Sequence, residues 1–436
     1  MSDSNGLQSR RVALKALISI EQESSYANLS LPNFLRESDL SVADKALVTE
    51  IVYGSIRLRG TYDKIIDNVS NRPVETLDLE VREILRMGAH QLLNMRVASH
   101  AAVDTAVTLT KQEINQSSSG FVNAILRKVS KFDFDQWLTN LGFTDKLDQL
   151  SIQYSHPRWI LESYLARLGD ISRVEQECIA NNKNPKVCVI GWPNQATQAE
   201  LLESNKDFSP APWVDSGVEI SGDPGDIPAI QGLRASVQDQ GSFLVSKAFI
   251  DIPLDEDDFW LDLCAGPGGK SALLDRWAKE RNIDFVANEI SPHRAKLMQR
   301  STDQIVLSDG LVPAFREESF TRILVDAPCS GLGALRRRPD SRWRKKSAEI
   351  NELVSIQNGL LEKASQLIKV GGLLGYVTCS PHPAETIENV EKFLTKHLNF
   401  KAIPVVQYFP IEMDLQDSNS VQLWPGLHGT DGMFLA

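Results

Sequence analysis

Leu261-Asp262-Leu263-Cys264-Ala265-Gly266-Pro267-Gly268-Gly269-Lys270-Ser271 decides how the second half of this chain folds. An apolar run ends in a glycine-rich turn, and a helical pattern starts directly after it. Glycines allow a tight turn and let backbone approach a ligand without side chains in the way. The helix start offers free N–H donors to an anionic group. A phosphate loop of the G-x-x-x-x-G-K-[ST] kind would need glycine where Cys264 stands, and the G-x-G-x-x-G spacing is not met either. A glycine-rich turn with no ligand is the plain alternative; a strand-to-helix turn of Rossmann-like geometry favours a ligand.

Outward from this loop, short apolar runs alternate with helix-like segments: DFWLDLC (258–264), DFVANEI (284–290), DQIVLSD (303–309), TRILVDA (321–327) and LLGYVTC (373–379). This alternation predicts an α/β fold over 236–436, a mostly parallel Rossmann-like sheet with helices on both faces. Ligands of such sheets bind beyond the carboxyl ends of the strands. Three acids fall there. Glu289 follows the second strand at about the place where an acid meets ribose hydroxyls. Asp309 ends the third and could accept from an adenine amino group, and Asp326 ends the fourth. Any one of them alone reads equally as a turn or N-cap carboxylate. Arg294 could steer Glu289 or a cofactor carboxylate, or simply lie on a solvated helix face.

Residues 1–145 read as an all-helical bundle. Ser9 can cap a helix carrying Val12, Leu14, Leu17 and Ile18. Ser41 and Asp44 resemble a capping box ahead of Leu47, Val48, Ile51, Val52 and Ile56. Tyr62, Ile65, Ile66 and Val69, then Val81, Ile84 and Leu85, then Phe121, Val122, Ile125, Leu126 and Val129 continue the helical spacing. Residues 146–235 read as a small mixed α/β linking domain, with a helix over 157–168, a strand-like KVCVIGW at 186–192 and a turn-rich SGDPGD at 221–226. The closing GMFLA reads as a strand that stops with the chain, as expected of a truncated C-terminus.

A length of 436 residues is too great for one core and implies two or three domains. The opening lacks a signal-peptide core and no stretch has the roughly 18 apolar residues of a membrane span, so a cytoplasmic protein without a membrane partner is the expectation. Five scattered cysteines without a CxxC pair support neither a disulfide framework nor a metal site. A net charge of −11 argues against indiscriminate coating of nucleic acid, though a local basic surface can still hold RNA. The oligomeric state is not legible, and a monomer is the default.

Asp326-Ala327-Pro328-Cys329-Ser330-Gly331 and Thr378-Cys379-Ser380-Pro381 each place a cysteine just past a buried strand. A lone cysteine is most often small apolar filler. Two at the ligand-binding face of one sheet suit attack on an unactivated pyrimidine. Thiolate addition at carbon 6 makes carbon 5 able to take a methyl group, and a base then removes the carbon 5 proton so that the thiol leaves. Asp326, protonated or hydrogen-bonded to the ring, could stabilise the adduct.

LDLCAGPGGKS, VDAPCSGLGALRRRPDSRW and GYVTCSPHPAETIENV resemble the motifs of the RNA cytosine-C5 methyltransferases. Nearly the whole chain is similar to their bacterial 16S rRNA (RsmB, Sun/Fmu) type. DKALVTEIVYGSIRLRGTYD (44–63) and GFVNAILRKV (120–129) are similar to NusB, and VQDQGSFLV (237–245) matches the segment before the first methyltransferase strand. The resemblance implies a NusB-like RNA-binding domain over 1–145, an RRM-like link over 146–235 and a catalytic domain over 236–436. It implies Cys379 as nucleophile and Cys329 as the residue needed for product release. It also implies S-adenosylmethionine held by Cys264, Ala265, Gly266, Pro267, Gly268, Gly269, Lys270, Glu289, Asp309 and Asp326. Gly266 stands where the family usually has Ala, Glu289 where Asp is common, and QDQGS replaces QDEAS.

Arg336, Arg337, Arg338, Arg342, Arg344, Lys345 and Lys346 crowd around Trp343. The run reads either as a solvated face or as a phosphate-contacting edge with one aromatic for stacking. Arg10, Arg11, Arg57, Arg59, Arg127 and Lys128 could extend that surface. The target cytosine would be single-stranded or flipped out. Transfer to tRNA by the same chemistry, and a non-catalytic NusB-like RNA-binding factor, are the alternatives. A DNA cytosine methyltransferase would make Cys329 the attacker and leave Cys379 unexplained.

Overall fold

The computed structural model describes residues 2–415 and 419–436, with side chains from residue 6 on. The chain packs as two compact units. One comprises the chain up to Leu165, Asp170–Asn182 and Leu335–Arg344; the other comprises Ala166–Gly169, Lys183–Ala334 and Lys345–Ala436.

The first unit is helical: Ser2–Gln22, Ala27–Arg36, Val42–Arg57, Arg59–Ser70, Leu79–Leu93, Ser99–Leu109, Gln116–Val129, Phe134–Leu141, Lys146–Gln153 and Ile171–Asn181, with most of Arg158–Leu168. The apolar residues at helical spacing make its core: Leu14, Leu17, Val48, Ile51, Val52, Tyr62, Ile65, Ile66, Ile84, Leu85, Val122 and Leu126 are all buried. Each such side chain contributes about 1.5–3 kcal/mol when fully buried. Helix starts are set by polar side chains. Ser41 Oγ accepts the Asp44 N–H, and Asp133 and Gln136 form a reciprocal capping box. Ser9 does not cap. The first helix begins at Ser2, and Ser9 is buried within it, donating to Asp44 Oδ1 at 3.0 Å.

Part of the basic run belongs to this unit and faces inward. Arg342 is fully buried, and its Nη1 donates to the carbonyls of Arg57 (3.3 Å), Tyr154 (3.4 Å) and Ser155 (3.0 Å) and to Asn182 Oδ1 (2.9 Å). Its Nη2 donates to the Asn181 carbonyl at 3.3 Å. These acceptors sit at the C-terminal ends of Val42–Arg57, Lys146–Gln153 and Ile171–Asn181, where carbonyls lack helical partners and the helix dipole is negative. Arg344 does the same for the first helix, donating to the carbonyls of Ile20, Ser24 and Ser25. Arg342 and Arg344 are therefore helix-end cations rather than phosphate contacts. Arg336 is buried too, and the Trp343 ring fills the space beside Gly60. Arg338 and Lys346 are exposed and Lys345 half-buried. Of the further basic residues, Arg10 and Arg57 are buried, Arg11 pairs with Glu113 and Arg59 with Glu21, while Arg127 and Lys128 are exposed.

The second unit holds two sheets. Strands β1 (Val187–Gly191), β2 (Ser209–Pro210), β3 (Gly217–Ile220) and β4 (Ala235–Val237) form an antiparallel sheet in the order β2-β3-β1-β4. Strands β5 (Phe259–Asp262), β6 (Asp284–Glu289), β7 (Ile305–Leu307), β8 (Phe320–Asp326), β9 (Ile368–Thr378), β10 (Val421–Gln422) and β11 (Phe434–Leu435) form the other, in the order β10-β11-β9-β8-β5-β6-β7. β5 to β9 are parallel, while at one edge β11 pairs antiparallel with both β9 and β10. This is the mostly parallel α/β sheet expected from the alternation. Ile190 and Trp192 of the small sheet share one core with Phe243, Phe249 and Trp277 under the large one.

β5 pairs with β6 on one side and β8 on the other. The chain thus builds outward through β6 and β7 and then returns across β5. The crevice beyond the carboxyl ends of β5 and β8 is the topological switch point, where open α/β sheets place ligands.

Candidate active site

Because β5 to β9 are parallel, the loops after them converge on one edge of the sheet. After β5, the glycine-rich loop leads into the helix Gly269–Glu280. Gly268 has φ +107°, and a Cβ there would lie 2.7 Å from Met298 Cγ, so this turn requires glycine. Ser271 Oγ donates to Asp262 Oδ2 at 2.6 Å and ties the helix start back to the strand end. Asp262 is fully buried, and burial pushes its carboxyl up to about 7. Burial also pushes the Cys264 thiol well above its ordinary value, so it is a neutral lining group.

Glu289 ends β6 and is 2% exposed. Its carboxylate accepts the N–H of Gly266 (2.8 Å) and of Ser291 (2.7 Å), and Arg294 Nη2 lies 3.0 Å away. Arg294 thus steers the acid. Asn288 Nδ2 donates to the carbonyls of Leu263 and Ser308, which locks the ends of β5, β6 and β7 together. Asp309 is exposed and accepts the Leu311 N–H at 2.9 Å, a contact within its own turn. Ile290 and Leu307, 58% and 57% exposed, present apolar surface beside these strand ends, where a flat aromatic ring could cover them.

At the switch point Lys270 Nζ lies 2.8 Å from Asp326 Oδ2. Burial opposes the Lys270 charge, but Asp326 outweighs it and holds the ammonium above its ordinary value; Cys379 acts in the same direction. Lys270 is thus a cationic donor at this point. Cys329 Sγ and Cys379 Sγ are 3.3 Å apart. Neither is in a disulfide and both are partly exposed, at loops separated by 50 residues in sequence. The Cys379 contact, then burial, then Cys379 and Glu385 charge push the Cys329 thiol well above its ordinary value. Of the two sulfurs, Cys329 is thus held in its protonated form.

The structure therefore brings Lys270, Asp326, Cys329 and Cys379 to one point and Gly266, Glu289 and Arg294 to an adjoining one, while Asp309 stands at the rim. Sequence reasoning missed Ser330, Ser380, Gln357 and Glu385, which lie directly behind the cysteines. Their one signal was an acid six residues past Cys379. Among the described residues there is no cluster of three or more metal-ligating side chains and no helix long and apolar enough to cross a membrane. A cavity of about 440 Å³ lies beside Ile368–Tyr376 of β9, Phe393 and Phe400 rather than at the strand ends.

Comparison with known proteins accords with this arrangement. Residues 250–436 match the model of the 16S rRNA methyltransferase RsmB/F family, and residues 7–131 match that of the NusB family. Rv1407 of Mycobacterium tuberculosis (strain H37Rv), described as a methyltransferase, is 37% identical over 98% of this chain and 95% of its own. The ribosomal RNA small subunit methyltransferase B of Enterobacter sp. (strain 638) is 28% identical over 96% of this chain and 95% of its own. In three dimensions the crystal structure of PH0851 matches with a TM-score of 0.81 and 22% identity, covering 98% of both chains.

Proposed function

The chain belongs to the RsmB/F family of 16S rRNA methyltransferases, and from that premise we propose that it methylates carbon 5 of a cytosine in 16S rRNA through a covalent bond to Cys379. The observation that carries this reading is the 3.3 Å contact of Cys329 and Cys379 beside the Lys270–Asp326 pair.

Lys270 supplies positive charge next to Cys379 and favours its thiolate. That thiolate bonds to carbon 6 of the cytosine, and the C5=C6 electron pair moves toward the ring's N3 and O2, where the Lys270 ammonium can donate. S-adenosylmethionine, when bound, supplies an electrophilic methyl group for carbon 5. The glycine loop, the helix start at Gly269, the Glu289 carboxylate and the apolar Ile290 and Leu307 fit such a nucleoside. Attack by Cys379 removes its hydrogen-bonding contact with Cys329 and its negative charge, two of the causes that kept Cys329 protonated. Cys329 can then lose its proton to solvent and take the carbon 5 proton. The C5=C6 bond re-forms and the Cys379 thiolate leaves.

In this reading residues 1–145 hold RNA, 146–235 link, and 236–436 carry the chemistry. RNA is engaged through exposed Arg338, Lys346, Arg127 and Lys128. The test is incubation of the full chain with methyl-labelled S-adenosylmethionine and unmodified small-subunit rRNA, with bisulfite sequencing of the product. Label at cytosine carbon 5 is expected. Label on another atom, or none on rRNA or tRNA with intact protein, would overturn the reading.

A further inference from the structure

Behind the two thiols lies a buried acid that the chemistry above does not use. Glu385 is fully buried, in the short turn Pro383–Glu385 after β9. Its Oε1 accepts the Ser330 N–H at 2.8 Å and Gln357 Nε2 at 3.1 Å. Its Oε2 accepts the hydroxyls of Ser330 at 2.5 Å and Ser380 at 2.6 Å. Ser330 and Ser380 are the residues immediately after Cys329 and Cys379, they are buried, and their hydroxyls lie 3.0 Å apart. Gln357 also donates to the carbonyl of Pro328, the residue before Cys329. Tyr376 donates to the Glu385 carbonyl and is itself held by Asn389.

Four neutral donors on one buried carboxylate satisfy both its oxygens. A buried charge is costly unless hydrogen-bonded in this way, and charge-assisted bonds are short and directional. Three of the donors stand one peptide beyond the cysteines, two on Ser330 and one on Ser380. A backbone bond from the Gly333 N–H to the Cys379 carbonyl also joins these loops. The acid thus bridges both cysteine loops.

We propose that Glu385 is a positioning residue that holds the Cys329 and Cys379 loops in register, so that both thiols face one base. The role rests on the reading that Cys379 attacks and Cys329 releases the product. Glu385 touches neither substrate nor cofactor and acts through Ser330 and Ser380.

The experiment compares wild type, Glu385→Ala and the Ser330→Ala/Ser380→Ala double variant in the full chain. Two quantities are read: kcat and KM for rRNA methylation, and the rate at which diamide, a two-electron thiol oxidant, closes a Cys329–Cys379 disulfide, followed as a loss of two hydrogens by mass spectrometry. A displacement of about 1 Å should lower kcat about a hundredfold, leaving KM for S-adenosylmethionine within about twofold. Disulfide closure should slow by about tenfold or more, since the bond tolerates little misplacement. Unchanged closure and unchanged kcat in a folded variant overturn the proposal. If Glu385→Ala does not fold, the serine variant, which keeps the carboxylate, decides in the same way. Slowed closure without cytosine methylation by wild type would overturn the reaction and leave Glu385 only a structural bridge between the loops; cytosine methylation with unaffected variants overturns the positioning role alone.

Discussion

Glu289 Oε2 accepts the Gly266 N–H at 2.8 Å, and a Cβ at residue 266 would lie 2.3 Å from that same oxygen. The Glu289 carboxylate and a side chain at residue 266 would thus compete for one space. The longer acid reaches back onto the loop, and only a residue without a Cβ leaves room for it.

Gly266→Ala should therefore push the Glu289 carboxylate off the loop, at about 1–3 kcal/mol of overpacking. Read by calorimetry, S-adenosylmethionine affinity should fall by about 5- to 150-fold. Adding Glu289→Asp should recover most of the loss. If Gly266→Ala costs the same affinity with Glu289 in place as it does combined with Glu289→Asp, the two positions are independent.

Cys379→Ala should abolish turnover. Cys329→Ala should instead accumulate an RNA–protein adduct that survives denaturing electrophoresis, because attack remains and the base is gone. Normal turnover by Cys329→Ala would refute this division of labour.

The buried Asp262 predicts a pH slope. Its folded pKa, about 7, lies above the ordinary carboxylate value of 3.8. Between these values the folded state keeps a proton that the unfolded chain has lost, so stability is full below about pH 4 and falls as pH rises toward 7. The contribution is on the order of a few kcal/mol. Asp262→Asn should flatten this part of the profile in denaturant titrations at successive pH values, and an unchanged slope would assign it to other groups.

Arg342 and Lys346, four residues apart, should behave in opposite ways. Arg342→Met leaves carbonyls at three helix ends without their donor and should destabilise the helical unit by about 3 kcal/mol or more. Arg342→Lys should not rescue it, since an ammonium cannot span that set of acceptors. Lys346→Ala should leave the melting temperature within about a degree and lower the slope of log Kd against log salt for RNA by about 0.7 to 0.9. A reduced salt slope for folded Arg342→Lys would restore its reading as a phosphate contact.

The sequence by itself determined the helical first part, the five strand segments of the mostly parallel sheet in their order along the chain, and the identity of the loops at their ends. Those are properties of local periodicity and of residue types whose backbone demands are strict, such as Gly268 at φ +107°. Only the tertiary structure decided what each charge does. Arg342 and Lys346 look alike in sequence, yet one closes three helix ends and the other faces solvent. A guanidinium's role depends on which carbonyls arrive from segments about 160 to 285 residues away, and no local pattern records them. The same holds for Glu385. Its meaning comes from Ser330, 55 residues earlier, and the chain reveals that pairing only once β8 and β9 lie side by side.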